Sequence, residues 1–346
     1  MINTAVIGFG LSGRVFHAPF IHTNDNFRLK AIVQRHSDSA LDIYPDTTIV
    51  KDYKDLLSDR GIDLVAICTP NTDHFKMAKD CLEAGKHIVI EKPFMPTSAE
   101  ADEIIRLAKR KRRKVFVFQN RRLDGDFLTI QKLVGSRWLG EVNYYEAHFD
   151  RYSPERKRAL WRDEELPGSG MLFDLGSHLI DQALTLFGKP ELIRATLEKQ
   201  RPGSKVDDFF EVSLLYSEMT AVVTAGMLVK DHSLRYRING NFGHFTKYGL
   251  DVQEENLNKG QMPVGNDWGE EPAANWGHLH LDRDGLKMEG TVKTDQGNYM
   301  AFYDNVSEVL NSGAEMIIKP EEARDVIRII EIAFESARTN KEIKFH

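Results

Sequence analysis

Ile2-Asn3-Thr4-Ala5-Val6-Ile7-Gly8-Phe9-Gly10-Leu11-Ser12-Gly13 opens the chain, and this stretch decides the fold. A short apolar run, residues 4–7, leads into Gly-x-Gly-x-x-Gly, and a segment with helical spacing follows. In a dinucleotide-binding unit such glycines allow a tight turn, and backbone N–H groups approach a pyrophosphate at the helix N-terminus. Gly8, Gly10, Leu11, Ser12 and Gly13 are therefore candidate cofactor-binding residues. A plain glycine-rich turn is the alternative, and the strand before and helix after count against it. Pro19 is an oddity, because a proline there should end or kink the first helix early.

The pattern continues outward from this opening. Short Val- and Ile-rich runs recur at 29–33, 64–68, 87–90 and 115–118, with helical spacing over 73–83 and 98–110. Continuous apolar strands with helices between them predict a parallel sheet covered on both faces, a doubly wound α/β Rossmann domain over residues 1–122. After that the strands 142–149, 209–216, 221–229 and 234–239 arrive mostly without intervening helices. Runs of strands predict an α+β domain with a large, mostly antiparallel sheet over 123–346. Residues 251–290 are polar and rich in Gly, Asn and Pro, which suggests a long functional or partly disordered connection. Residues 321–337 form a closing amphipathic helix.

Composition narrows the function. The chain has 346 residues, enough for two domains with their own cores. Its 46 Lys and Arg against 52 Asp and Glu leave a formal charge of −6, which argues against a nucleic-acid binder. Cys68 and Cys81 sit in apolar surroundings and read as buried hydrophobes in a reducing compartment. No basic region precedes the first apolar run, and no apolar run approaches the roughly 20 residues of a membrane helix. A soluble, cytoplasmic protein without a membrane or nucleic-acid partner is expected. The basic run 109–114 reads as the C-terminal turn of a helix, where cations complement the dipole, rather than as a nuclear signal.

Four further motifs carry chemistry. At the end of the second apolar run stands Gln34-Arg35-His36-Ser37, with Arg35 22 residues after Gly13. An NAD binder places a carboxylate about 20 residues past the glycines, whereas a guanidinium suits a 2′-phosphate. Arg35 and Ser37 thus favour NADP over NAD, with a surface arginine as the alternative. Thr69, Pro70, Asn71 and His74 follow the run 64–68 at the carboxyl edge where ligands bind, although Thr72 or Asp73 could simply cap the next helix. Glu91, Lys92 and Pro93 lie on the same edge. A lysine there could hold a substrate oxygen as it becomes an alkoxide, or it could be solvated, and Pro93 fixes the turn in a form that could be cis. Finally, Asp174 and His178 are four apart in the helical run 170–187, which puts them on one helix face. A histidine that takes a proton beside a carboxylate suits oxidation of an alcohol. Two alternatives stand: Asp174 serves the helix dipole, or the pair contributes two metal ligands. No third ligand has convincing spacing, so no metal is expected.

Together, Gly8–Gly13, Glu91-Lys92-Pro93 and Asp174…His178 resemble the Gfo/Idh/MocA oxidoreductase family over nearly the whole chain. The resemblance implies a catalytic triad of Lys92, Asp174 and His178. The segments around Phe16-His17, Gln119–Arg122, Asp124–Ile130, Tyr152, Trp161-Arg162 and 171–182 are similar, within that family, to NADP-dependent scyllo-inositol dehydrogenases. That likeness implies Asn120 and Arg122 at a pocket floor, Tyr152 and Trp161 in its wall, and Asp174 and His178 against a small-molecule polyol. A homodimer or homotetramer is expected, without the sequence fixing which. A non-catalytic, cofactor-sensing regulator on the same fold should have lost the lysine or the histidine, and this chain keeps both.

Overall fold

Each short apolar run before residue 120 becomes a strand in the computed structural model, which describes residues 1–155, 163–231, 234–265 and 267–346. β1 (Ile2–Ile7), β2 (Phe27–Val33), β3 (Thr48–Val50), β4 (Leu64–Ile67), β5 (His87–Glu91) and β6 (Val115–Phe118) are all parallel, in the order β3-β2-β1-β4-β5-β6. Every residue of β4 and β6 is buried, as only a sheet covered on both faces allows. This is the Rossmann strand order, whose ligand crevice lies at the carboxyl ends beside the β1/β4 switch point.

Between these strands come α1 (Ala18–Thr23), α2 (Lys54–Ser58), α3 (Asn71–Glu83) and α4 (Ser98–Lys111). α4 starts with a reciprocal cap: Thr97 Oγ1 accepts from the Glu100 N–H at 3.2 Å and donates to the Glu100 carboxylate at 2.9 Å. It ends on left-handed Arg112, so the basic run is the helix terminus, as expected. Pro19 acts as expected too, with a detail that no periodicity predicts. The chain widens into one π-helical turn, Gly13–His17, and restarts as the short α1 with Pro19 in its first turn.

The second half contains α5 (Gly125–Gly135), β7 (Val142–His148), α6 (Ser177–Phe187), β8 (Leu192–Glu198), β9 (Phe209–Leu215), β10 (Thr220–Gly226), β11 (Leu234–Gly240) and β12 (Gly243–Tyr248). After them come α7 (Gln253–Asn258), β13 (Gly277–Arg283), β14 (Leu286–Val292), α8 (Met300–Ser312), α9 (Pro320–Thr339) and β15 (Ile343–Lys344). The nine strands form one sheet in the order β14-β13-β12-β11-β7-β10-β9-β8-β15, antiparallel except for β7 with β10. The expected fold class is the observed one. The polar segment 251–290 is the exception: it holds α7, β13 and part of β14 rather than a long loop. Both strands of this hairpin alternate in sequence, His278-Leu279-His280-Leu281 and Leu286-Lys287-Met288-Glu289, although residues 286–291 of β14 are all exposed.

The chain divides into two compact units. The first takes 1–120, 253–268 and 298–324; the second takes 121–252, 269–297 and 325–346. A second domain running unbroken from 123 to 346 does not anticipate the two returning segments. Aromatic packing explains one of them. Tyr303 of α8 stacks on Phe20 and meets Phe27 edge-on, and Phe302 meets Phe118 edge-on at 4.9 Å.

Candidate active site

In the first unit, the glycine loop after β1 is shaped by two close approaches and one opening. Gly8 has φ +94°, and a Cβ there would lie 2.7 Å from the Cys68 carbonyl oxygen. A Cβ on Gly13 would lie 2.0 Å from the Gly8 oxygen. Gly10 differs: a Cβ there would meet nothing within 4 Å. The outer two glycines close the turn, and the middle one leaves backbone open, which is the arrangement a pyrophosphate needs. The residues present therefore fit a dinucleotide, with the N–H groups of 10–13 available to hold its phosphates.

The Glu-Lys-Pro turn is tied to that loop. Glu91 Oε1 accepts a short hydrogen bond from the Ser12 hydroxyl and lies 2.8 Å from His17 Nε2. Glu91 Oε2 accepts the Lys92 N–H at 3.0 Å, and His17 Nδ1 lies 2.6 Å from the Tyr303 hydroxyl. Burial alone would raise the Glu91 carboxyl, but its hydrogen bonds from His17 and Ser12 and the nearby charge of Lys92 hold it below the ordinary range. Glu91 is thus a fixed anion inside the protein. The Lys92–Pro93 peptide is cis. Tyr303 escapes motif reading, whereas His17 falls in the Phe16-His17 segment of the family likeness, four residues after Gly13.

The loop after β4 is braced against the same turn. His74 is wholly buried, with Nε2 3.1 Å from the Thr69 carbonyl and Nδ1 3.1 Å from that of Pro93. Burial pushes its pKa down, against the pull of those carbonyls. The placement makes His74 a brace between two loops rather than a cofactor ligand. α3 begins at Asn71 with Pro70 before it and no side-chain cap, so neither Thr72 nor Asp73 caps it. After β2, Gln34 Nε2 donates to Ser37 and Ser39 while its carbonyl accepts from Ala40 N–H, leaving Arg35 exposed. Asp38 is held by Lys51 at 2.5 Å.

In the second unit, Asp174 and His178 lie on one continuous helical stretch. It starts as a π turn, Leu172–Gly176, and becomes α6 at Ser177. The ideal α spacing therefore applies only beyond the wide turn, and such turns concentrate at functional positions. His178 is buried and Asp174 half-buried. α6 is held in place one turn on. Arg122 grips Asp181 with two bonds of 2.7 Å, Gln182 donates to the Arg121 carbonyl at 2.8 Å, and the Tyr236 hydroxyl donates to Gln182 at 2.9 Å. Arg122, expected at a pocket floor, is committed to this pair. Asn120 is buried at the end of β6. Tyr152 is exposed, bridged to Leu228, with the Lys230 ammonium 5.1 Å from its ring centre. Trp161 lies outside the described residues. Lys92 belongs to the first unit, Asp174 and His178 to the second.

Both halves match known proteins. Residues 2–119 match the NAD-binding Rossmann fold of the Gfo/Idh/MocA oxidoreductases, and residues 131–345 match that family's C-terminal alpha/beta domain. The chain belongs to the Gfo/Idh/MocA oxidoreductase family. Its similarity to individual members runs end to end. It is 36% identical to the scyllo-inositol 2-dehydrogenase (NADP+) of Bacillus subtilis, covering 99% of this chain and 95% of that one. It is 40% identical to the uncharacterized oxidoreductase YdgJ of Escherichia coli, covering 97% and 96%. The solved structure of the oxidoreductase YvaA from Bacillus subtilis superposes with a TM-score of 0.95 at 34% identity, over 100% of both chains. The family assignment makes the chain an oxidoreductase whose Rossmann half is of the NAD(P)-binding kind. Among the described residues no helix is long and apolar enough to cross a membrane.

Proposed function

We propose that the protein reversibly oxidises one ring hydroxyl of a cyclic polyol to a ketone with NADP, scyllo-inositol and scyllo-inosose being the pair. The observation that carries this reading is that Asp174 and His178 share one anchored helix, in a chain whose Glu91, next to Lys92, accepts from Ser12 of the glycine loop. The B. subtilis relative, named for scyllo-inositol and NADP, supports the substrate and cofactor. Arg35 supports NADP as well, since the first carboxylate after it, Asp38, is paired with Lys51.

His178 takes the hydroxyl proton, and Asp174 favours the imidazolium that results. Lys92 donates to the reacting oxygen and stabilises its negative charge. Bound NADP supplies the hydride acceptor, its nicotinamide ring. Glu91 holds the Lys92 peptide, and the N–H groups of the glycine loop hold the phosphates.

A panel of scyllo-inositol, myo-inositol and glucose, each with NADP and NAD, tests the reading through formation of reduced nicotinamide. NADP-dependent turnover of scyllo-inositol is expected, with much weaker activity on myo-inositol. A site that hydrogen-bonds each hydroxyl can discriminate by as much as ~10⁴-fold. Activity on glucose with none on either inositol would move the assignment to another sugar dehydrogenase of the family.

A further inference from the structure

The helix that carries Asp174 and His178 is gripped at its start by a carboxylate from a distant stretch of sequence. Asp207 Oδ2 accepts the Leu172 N–H at 2.7 Å, and the Asp207 backbone carbonyl accepts the Met171 N–H at 3.1 Å. Gly170, with φ +95°, makes the space: a Cβ there would lie 2.1 Å from Asp207 Oδ1. Asp207 is itself held, because the neighbouring Asp208 is locked in place. Asp208 accepts from the Ser204 hydroxyl, from Arg201 Nε at 3.0 Å, and from the N–H groups of Gln200 and Arg201 at 2.6 and 3.1 Å. The same Arg201 donates to the Ser153 carbonyl at 3.4 Å, next to Tyr152.

We propose that Asp207 is a positioning residue for the reaction, its carboxylate fixing the turn from which Asp174 and His178 are presented to the substrate. This rests on the reading of Asp174 and His178 as the proton-handling pair. The first N–H groups of a helix have no partner within it, and the dipole there favours an anion. Holding that end matters because a displacement of about 1 Å at reacting groups can cost 10²-fold in rate.

The anion is kept at the expense of stability. Burial raises the Asp207 carboxyl to about 6, with Asp208 the charged group beside it adding to the rise and the Leu172 N–H opposing it. A carboxyl raised on folding favours the folded state most when protonated, and that contribution is lost as pH rises through about 6.

The test compares Asp207→Ala, Asp207→Asn and Gly170→Ala with the unmutated enzyme in kcat, KM for NADP, melting temperature and deuterium uptake of residues 171–180. Asp207→Ala should lower kcat at least ~10-fold with KM for NADP within about twofold, and should speed uptake in that segment. Asp207→Asn, which keeps an acceptor, should recover kcat to within about threefold. It should also melt higher than the unmutated protein at pH 8, with the gap closing towards pH 5. Gly170→Ala pushes a methyl onto the same carboxylate and should reproduce Asp207→Ala, which keeps the test decisive should the latter not fold. Unchanged kcat in Asp207→Ala, or a loss matched by a rise in KM for NADP, would overturn the proposal. If the unmutated protein turns over no polyol or ketone, the functional reading fails instead. Uptake then decides alone, and an unchanged 171–180 segment in Asp207→Ala rejects the role of Asp207.

Discussion

At Gly10 and Gly13 the same substitution has opposite meanings. An alanine methyl at Gly13 collides with the Gly8 carbonyl, which is backbone and cannot yield cheaply, so Gly13→Ala should unfold readily. A methyl at Gly10 meets no protein atom and instead occupies the space that a pyrophosphate needs. Gly10→Ala should therefore keep its melting temperature within a degree or two, while NADP binds at least ~10-fold more weakly, about 1.4 kcal/mol. Parallel calorimetry of melting and of binding separates the two effects; equal loss of stability in both variants would contradict the cradle. Arg35 carries a different prediction. One guanidinium–phosphate contact is worth about 1.4 kcal/mol, so the unmutated protein should bind NADP roughly tenfold more tightly than NAD. Arg35→Asp should erase or reverse that preference, and equal affinities in the unmutated protein would remove Arg35 from the site.

The anchoring of α6 is a matter of elements rather than single residues. Arg122 and Asp181 form a two-bond ion pair that is almost wholly buried. Removing one partner strands the other charge, so Arg122→Met or Asp181→Leu alone should cost roughly 3–5 kcal/mol in urea unfolding. Replacing both, as in Arg122→Met with Asp181→Leu, should cost clearly less than the sum of the single changes. Additive losses would show that the pair is not a unit. The sequence shows much of this architecture and hides the rest for identifiable reasons. Most residues of the first sheet's longer strands are apolar because both faces are covered, so five of the strands are legible as runs, whereas β3, three residues long, is not. The β13–β14 hairpin turns at Asp284-Gly285, both with positive φ, and alternating runs flank that turn, so this hairpin was legible although the segment around it is polar. The π turns at Gly13–His17 and Leu172–Gly176 add a residue to a helix, which hydrophobic spacing does not reveal. The motif residues of the site were legible from their types and order. Their supports Tyr303, Asp207 and Asp208 lie far off in sequence and come into reach only through the fold, as His17 does to Glu91.

Over the whole molecule, a formal charge of −6 gives an anionic dinucleotide no long-range attraction, so its capture depends on local donors. The glycine loop belongs to the Rossmann half, while Asp174 and His178 belong to the other. Oxidation of a polyol with His178 as the base is the proposed reaction. Its most direct test is the rate of reduced nicotinamide formation from scyllo-inositol and NADP, measured side by side for the unmutated protein and His178→Ala. The account predicts turnover by the unmutated protein and a kcat lower by roughly 100-fold or more in the variant, with NADP affinity within a few-fold. Near-normal turnover by His178→Ala across pH, or no turnover by the unmutated protein, would contradict it.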